Sequence, residues 1–168
     1  MHKRFLALMT FAILAACGRA PQATDARPAP AFDLPSVDGG RTSLASLKGK
    51  VVVLDMWATW CGPCIAEMPD YAEFARKNQP RGVEVVGIVF ASGDPQEVQD
   101  FVREHRIAYR QLLGPDELLD AYGATSGFPT TFVIDAQGMI RLKLLGAVPQ
   151  KFEKLQKAVD DALVARGA

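Results

Sequence analysis

The chain has 168 residues, enough for one domain with a sizeable core and a short extension. Hydrophobic residues make up 49 %, and Lys plus Arg balance Asp plus Glu at 19 each. That balance excludes the basic profile of a nucleic-acid binder and gives no bulk attraction to an acidic membrane surface. The partner has to be read from the site.

The N-terminus does not read as part of the fold. His2-Lys3-Arg4 is a basic start, and Phe5 to Ala16 is an apolar stretch of signal-peptide length, too short to span a bilayer comfortably. Residues 1–16 are therefore expected to be a signal peptide. The run ends in Leu14-Ala15-Ala16-Cys17, which resembles the lipobox of bacterial lipoproteins. That resemblance implies cleavage before Cys17 and lipidation of its thiol; an ordinary cleavable signal is the alternative. Residues 17–31 then form a Pro/Ala-rich tether reaching at most roughly 45 Å, and residues 32–168 form the domain.

Phe32-Asp33-Leu34 and Thr42-Ser43-Leu44 flank the turn Asp38-Gly39-Gly40, a short hairpin. Val51 to Met56 is an apolar strand carrying one acid, Asp55. A helix follows from Pro63 to about Asn78, with Ile65, Met68, Ala72 and Ala75 on one face and a kink expected at Pro69. Val83 to Phe90 is a second buried strand. Asp94-Pro95 caps a helix to about His105, Tyr109 to Leu113 is a short strand, and Leu118 to Tyr122 a brief helix. Thr130–Ile134 and Met139–Leu145 are strands about the turn Asp135-Ala136-Gln137-Gly138. A last helix runs from Pro149, with Phe152, Leu155, Val159 and Leu163 on one face. Strands alternating with helices, then two close strands, give an α/β domain with a mixed sheet covered on both faces.

The chemistry lies in Trp60-Cys61-Gly62-Pro63-Cys64, between the Val51 strand and the helix. Two cysteines at a strand-to-helix junction form a reversible dithiol/disulfide. The unpaired N–H groups and positive dipole end favour a thiolate on the first. Such a pair can also be half of a zinc site. After signal cleavage only Cys61, Cys64 and His105 supply thiols or imidazoles, short of the usual four ligands, so no metal is expected. Haem attachment needs His after Cys64, where Ile65 stands. A merely structural bridge this short would close little chain and stabilise little.

The segment Asp55-Met56-Trp57-Ala58-Thr59-Trp60-Cys61-Gly62-Pro63-Cys64 resembles the active site of thioredoxins, and Phe128-Pro129-Thr130 is similar to that family's cis-proline segment. From Phe32 to about Val164 the chain resembles the TlpA/ResA branch. The helix and strand inserted over roughly Asp94 to Leu113 point that way, as does Glu67 at the position of the branch's active-site glutamate. The resemblance implies a thioredoxin-like fold with an N-terminal hairpin, and a membrane-tethered extracytoplasmic thiol–disulfide oxidoreductase. It implies no cofactor, protein-disulfide clients, a monomer, a membrane thiol donor of the CcdA/DsbD kind, and cytochrome c maturation as one task.

In this reading Cys61 is the nucleophile and Cys64 the resolving thiol. Gly62 and Pro63 set the poise of the couple; Trp60, Phe128 and a cis Pro129 shape the substrate platform, with the Phe128 backbone open to an extended client. Asp55, its carboxyl raised by burial, accepts the Cys64 proton. Glu67, leaning toward the helix N-terminus, raises the thiols and relays protons. The alternatives are an oxidase of the same fold, a non-catalytic envelope client-binding module, and a peroxiredoxin-like peroxidase. The peroxidase reading is disfavoured by Ala58, which stands where its motif has threonine.

Overall fold

The structure is a computed structural model, and it describes residues 27–167. The expected signal peptide, Cys17 and the first part of the expected tether lie outside the described residues.

A two-stranded hairpin, β1 (Asp33–Pro35) and β2 (Arg41–Ser43), leads through a 3-10 turn at Leu44–Leu47 into β3 (Val51–Trp57). The chain continues as α1 (Gly62–Asn78), β4 (Val83–Val89), α2 (Pro95–Glu104), β5 (Arg110–Leu113) and α3 (Glu117–Tyr122). It ends with β6 (Thr130–Ile134), β7 (Ile140–Leu145) and α4 (Lys151–Gly167). The five-stranded sheet has the order β5-β4-β3-β6-β7. β3, β4 and β5 run parallel, and β6 and β7 are antiparallel to their neighbours. The mixed sheet, the hairpin and the α2–β5 insert match the architecture expected from the sequence.

All seven residues of β3 are buried, because helices cover both sheet faces and leave no polar side for alternation. On one face Val52, Leu54 and Met56 pack with Phe132, Leu118 and Tyr122 beneath α3 and the hairpin. On the other, Val51 and Val53 meet Tyr71 and Phe74 of α1 and Leu155 and Val159 of α4. Trp57, two residues beyond Asp55 on that same face, joins Cys61, Cys64, Met68, Val98 and Val102. Asp55 therefore sits in the apolar floor under α1, between the core proper and the cysteine cluster.

Local chemistry sets the helix boundaries. Asp94 accepts from the N–H groups of Gln96 and Glu97, and Glu97 reaches back to Asp94 N, a full capping box ahead of α2. α1 runs on through Pro69. α4 begins two residues later than the expected Pro149, after Gln150 adopts a left-handed φ of 55°.

The tether expected to continue to Ala31 is already fastened at Arg27. Ala29 N donates to Gly138 O, Ile140 N donates to Arg27 O, and Pro28 bridges Met139. The Arg27 guanidinium holds the carbonyls of Ala121 and Tyr122 at the end of α3. This strap grips the β6–β7 turn. Because β3 and β6 are antiparallel, that turn lies at the opposite end of the sheet from Cys61.

Gly87 has a structural reason that its sequence context hides. It pairs with Asp55 on one side and Gln111 on the other, and the buried Gln111 side chain lies across it. A Cβ there would meet Gln111 Oε1 at 2.1 Å. Gln111 cannot swing away cheaply, since Oε1 accepts from Trp57 Nε1 at 2.9 Å and Nε2 donates to Tyr109 O at 3.2 Å. Gly87→Ala is expected to lower stability by about 1–3 kcal/mol in urea unfolding. An unchanged midpoint would show that Gln111 is not held as described.

Candidate functional site

β3 delivers the chain to the rim of the sheet, and α1 starts at once, so the cysteines occupy its first turn. Cys61 is the N-cap, and its Sγ accepts from Cys64 N at 3.3 Å. The sulfur thus stands where a side-chain acceptor satisfies an orphan N–H and feels the positive end of the helix. Cys61 and Cys64 form a disulfide with S–S 2.00 Å and Cα–Cα 5.3 Å. Cys61 is the more open of the two, at 5 % against 2 %. Gly62 and Pro63 are exposed between them. A Cβ at Gly62 would meet nothing within 4 Å, so its glycine leaves bare surface beside the sulfurs rather than avoiding a clash.

Trp60 is 65 % exposed and yet fixed. Its Nε1 donates to Ala91 O at 2.8 Å, and Thr59 N donates to Ser92 Oγ at 2.9 Å. Ala91 takes a left-handed φ of 47° to present that carbonyl, a conformation disfavoured for residues with a side chain. The Trp60 ring lies 5.8 Å from that of Phe128, and Phe128 stacks at 5.9 Å on the buried Phe90. An aromatic row therefore runs from the core to the surface beside the disulfide. The Phe128–Pro129 bond is cis. Pro129 itself is buried and Phe128 half-buried, just ahead of β6, where Pro129 O accepts from Gly146 N at 2.7 Å. At this rim Phe128 keeps some side-chain surface open and Pro129 keeps little.

Beneath the cysteines, Asp55 is buried, and burial pushes its carboxyl from 3.8 up to about 7. The attraction of Lys151 works against that rise and the repulsion of Glu67 adds to it. Tyr109 OH reaches Asp55 Oδ2 at 3.4 Å, while Oδ1 has no hydrogen-bond partner among the described residues. Tyr71 OH pairs with Thr131 Oγ1 at 2.7 Å. Burial, reinforced by Asp55, holds both tyrosine hydroxyls protonated well above their ordinary range. Glu67, one turn beyond Cys64, is half-buried, and its Oε2 accepts from Lys151 Nζ at 2.5 Å.

The structure thus gathers Cys61, Cys64, Gly62, Pro63, Trp60, Phe128 and Pro129 around one rim and sets Asp55 and Glu67 below it. Cys17 lies outside the described residues. Sequence reasoning missed Lys151, Tyr71, Tyr109 and Gln111. A lysine in the first turn of a helix, against the dipole, was the one available signal for Lys151. The tyrosines and Gln111 read as ordinary core and strand residues. Among the described residues no cluster of three His, Cys, Asp or Glu is placed to hold a metal.

A family model described as AhpC/TSA matches residues 26–143. The thiol:disulfide interchange protein DsbE of Pseudomonas aeruginosa is 34 % identical over 140 residues, covering 82 % of this chain and 76 % of that protein. The thiol-disulfide oxidoreductase ResA of Bacillus subtilis is 34 % identical over 123 residues, covering 73 % and 68 %. A crystal structure of a thioredoxin-family thiol:disulfide interchange protein from Chlorobium tepidum superposes with a TM-score of 0.71 at 34 % identity, covering 82 % of this chain and 97 % of that one. With the Cys61–Cys64 pair at the start of α1 and these relatives matched over most of its length, the chain belongs to the AhpC/TSA family as a thiol–disulfide oxidoreductase of the DsbE/ResA type.

Proposed function

We propose that the protein works as a reductase of protein disulfides outside the cytoplasm, anchored by lipid on Cys17 and recharged by a membrane dithiol donor of the CcdA/DsbD kind. Cytochrome c maturation is one process that would use it. The observation that carries the reading is the cysteine pair at the start of α1, with Trp60, the most accessible aromatic side chain among the described residues, held open beside it.

In the reduced protein the Cys61 thiolate attacks one sulfur of a client disulfide. The client S–S bond breaks, its second sulfur leaves as a thiolate and takes up a proton, and Cys61 is joined to the client. Cys64 gives its proton to Asp55 and attacks Cys61 Sγ. That S–S bond forms as the mixed disulfide breaks, and the first client sulfur leaves and is protonated. The client gains two electrons and two protons, and the donor dithiol restores both to the protein. Gly62 and the exposed face of Phe128 give the client room to approach, and Trp60 packs against its apolar side chains.

The deciding experiment is the reduction potential of the Cys61–Cys64 couple, equilibrated against glutathione. A value at or below about −230 mV supports a reductant that needs a donor. A value near −120 mV would make the protein an oxidant and reverse the direction of transfer.

A further inference from the structure

We infer that Lys151 is a positioning residue for the exchange reaction: a buried cation bonded to Glu67, it leaves Asp55 free to take up and release the proton of Cys64. The inference rests on the dithiol reading above and extends it to a residue on the far helix.

The placement of Lys151 runs against local preference three times over. Its side chain is 3 % exposed, where lysine is almost never buried without a partner. It opens α4, so its charge faces the unfavourable end of the helix dipole. The chain reaches it through Gln150 in a left-handed conformation. Stability does not account for this, because an apolar residue of similar volume commonly serves a buried site as well as an ion pair does. Such local violations gather where function demands them.

The contacts show what the demand is. Lys151 Nζ bonds Glu67 Oε2 at 2.5 Å and lies 5.2 Å from the centre of the Tyr71 ring. Tyr71 OH in turn pairs with Thr131, the residue directly beside Asp55 on β6. Asp55 is faced from α1 by Tyr71 and Glu67, from the approach to β5 by Tyr109, and from α4 by Lys151. Its register neighbours on β4 and β6, Gly87 and Thr131, bring no charge. Cys64 stands in the first turn of α1, the helix that packs over the sheet face carrying Asp55.

One cation thus serves two acids in a closed space. It bonds one of them directly, and the other keeps an oxygen with no hydrogen-bond partner among the described residues. When the Cys64 S–H bond breaks, its proton goes to the Asp55 carboxylate, giving a Cys64 thiolate and a neutral acid with no change in electron count. The Lys151–Glu67 pair is untouched by that transfer. Because its two charges act on Asp55 in opposite senses, removing either one should move the proton affinity of Asp55 in its own direction.

The test titrates the Asp55 carboxyl by carbon NMR in the full oxidised chain and follows the pH profile of single-turnover reduction of a peptide disulfide. Lys151→Met should raise both midpoints by about one pH unit or more, as an unbalanced charge in a partly buried site does. Glu67→Gln should lower both, Lys151→Arg should leave them near the wild type, and the Lys151→Met/Glu67→Gln double variant should return close to it. A shift of the same sign in both single variants, or a folded Lys151→Met with unmoved midpoints, overturns the inference. If Lys151→Met does not fold, Glu67→Gln and Lys151→Arg decide it, and Glu67→Gln failing to lower the midpoint overturns it. Opposed carboxyl shifts without turnover in any variant would sink the dithiol reading and leave the charge balance standing.

Discussion

Replacing Cys64 by serine should turn the protein into a covalent trap. Cys61 still attacks a client disulfide, but the second thiol that breaks the adduct is gone. The client then stays bound through one S–S bond, visible as a heavier band on non-reducing gels and released by dithiothreitol. Turnover should fall by at least about 10³-fold, because an attack within the same helical turn is replaced by attack from solution. Cys61→Ser should form no adduct and reduce nothing above background. Adducts on Cys61→Ser rather than on Cys64→Ser would exchange the two roles. Turnover surviving in both variants would remove the dithiol from the chemistry.

Asp55→Asn should separate stability from catalysis. The carboxyl titrates near 3.8 in an unfolded chain and about 7 in the fold, so between those values the folded protein holds the extra proton. Stability is then highest below pH 4 as far as this group is concerned, and it falls as pH rises through 7, by up to about 4 kcal/mol in all. Asparagine cannot ionise. The variant should therefore be more stable than the wild type at pH 8, with the gain shrinking below pH 7 and gone near pH 4. Urea unfolding of the oxidised protein at pH 4, 6 and 8 measures it, and a difference constant across pH would show that Asp55 is not held protonated by its surroundings. Turnover should drop about 10²-fold at the resolving step, the usual size of a lost general base.

Much of this was legible in the chain because the informative residues act locally. Val51 to Leu54 reads as a buried strand whatever covers it, Asp94-Pro95 announces a helix start, and Trp60 to Cys64 carries its chemistry in five consecutive residues. What could not be read depends on which distant side chains share a space. Lys151 and Glu67 are 84 positions apart and meet because α1 and α4 lie on the same sheet face. Glu67 alone read as a carboxylate over the dithiol; its bond to Lys151 makes it half of an ion pair. Gly87 passed as one of many scattered glycines, since only the sheet register shows Gln111 lying across it. Arg27 looked like linker because the carbonyls it holds belong to α3, far along the chain.

For a domain anchored as proposed, that strap bears on traffic between the membrane and the active site. The chain enters the folded body beneath the β6–β7 turn, and β3 carries its polypeptide about 20 Å from that end to the rim where Cys61 sits. A lipid on Cys17, as proposed, would put nine residues between the anchor and Arg27, a leash with a contour length of at most roughly 30 Å. On the proposed anchor, an upright domain would turn its dithiol toward soluble clients and its blind end toward the bilayer. A donor embedded in that bilayer could be met only by capsizing, with the leash drawn out along the flank of the domain. Shortening the leash should thus starve the protein of electrons while leaving its handshake with clients intact.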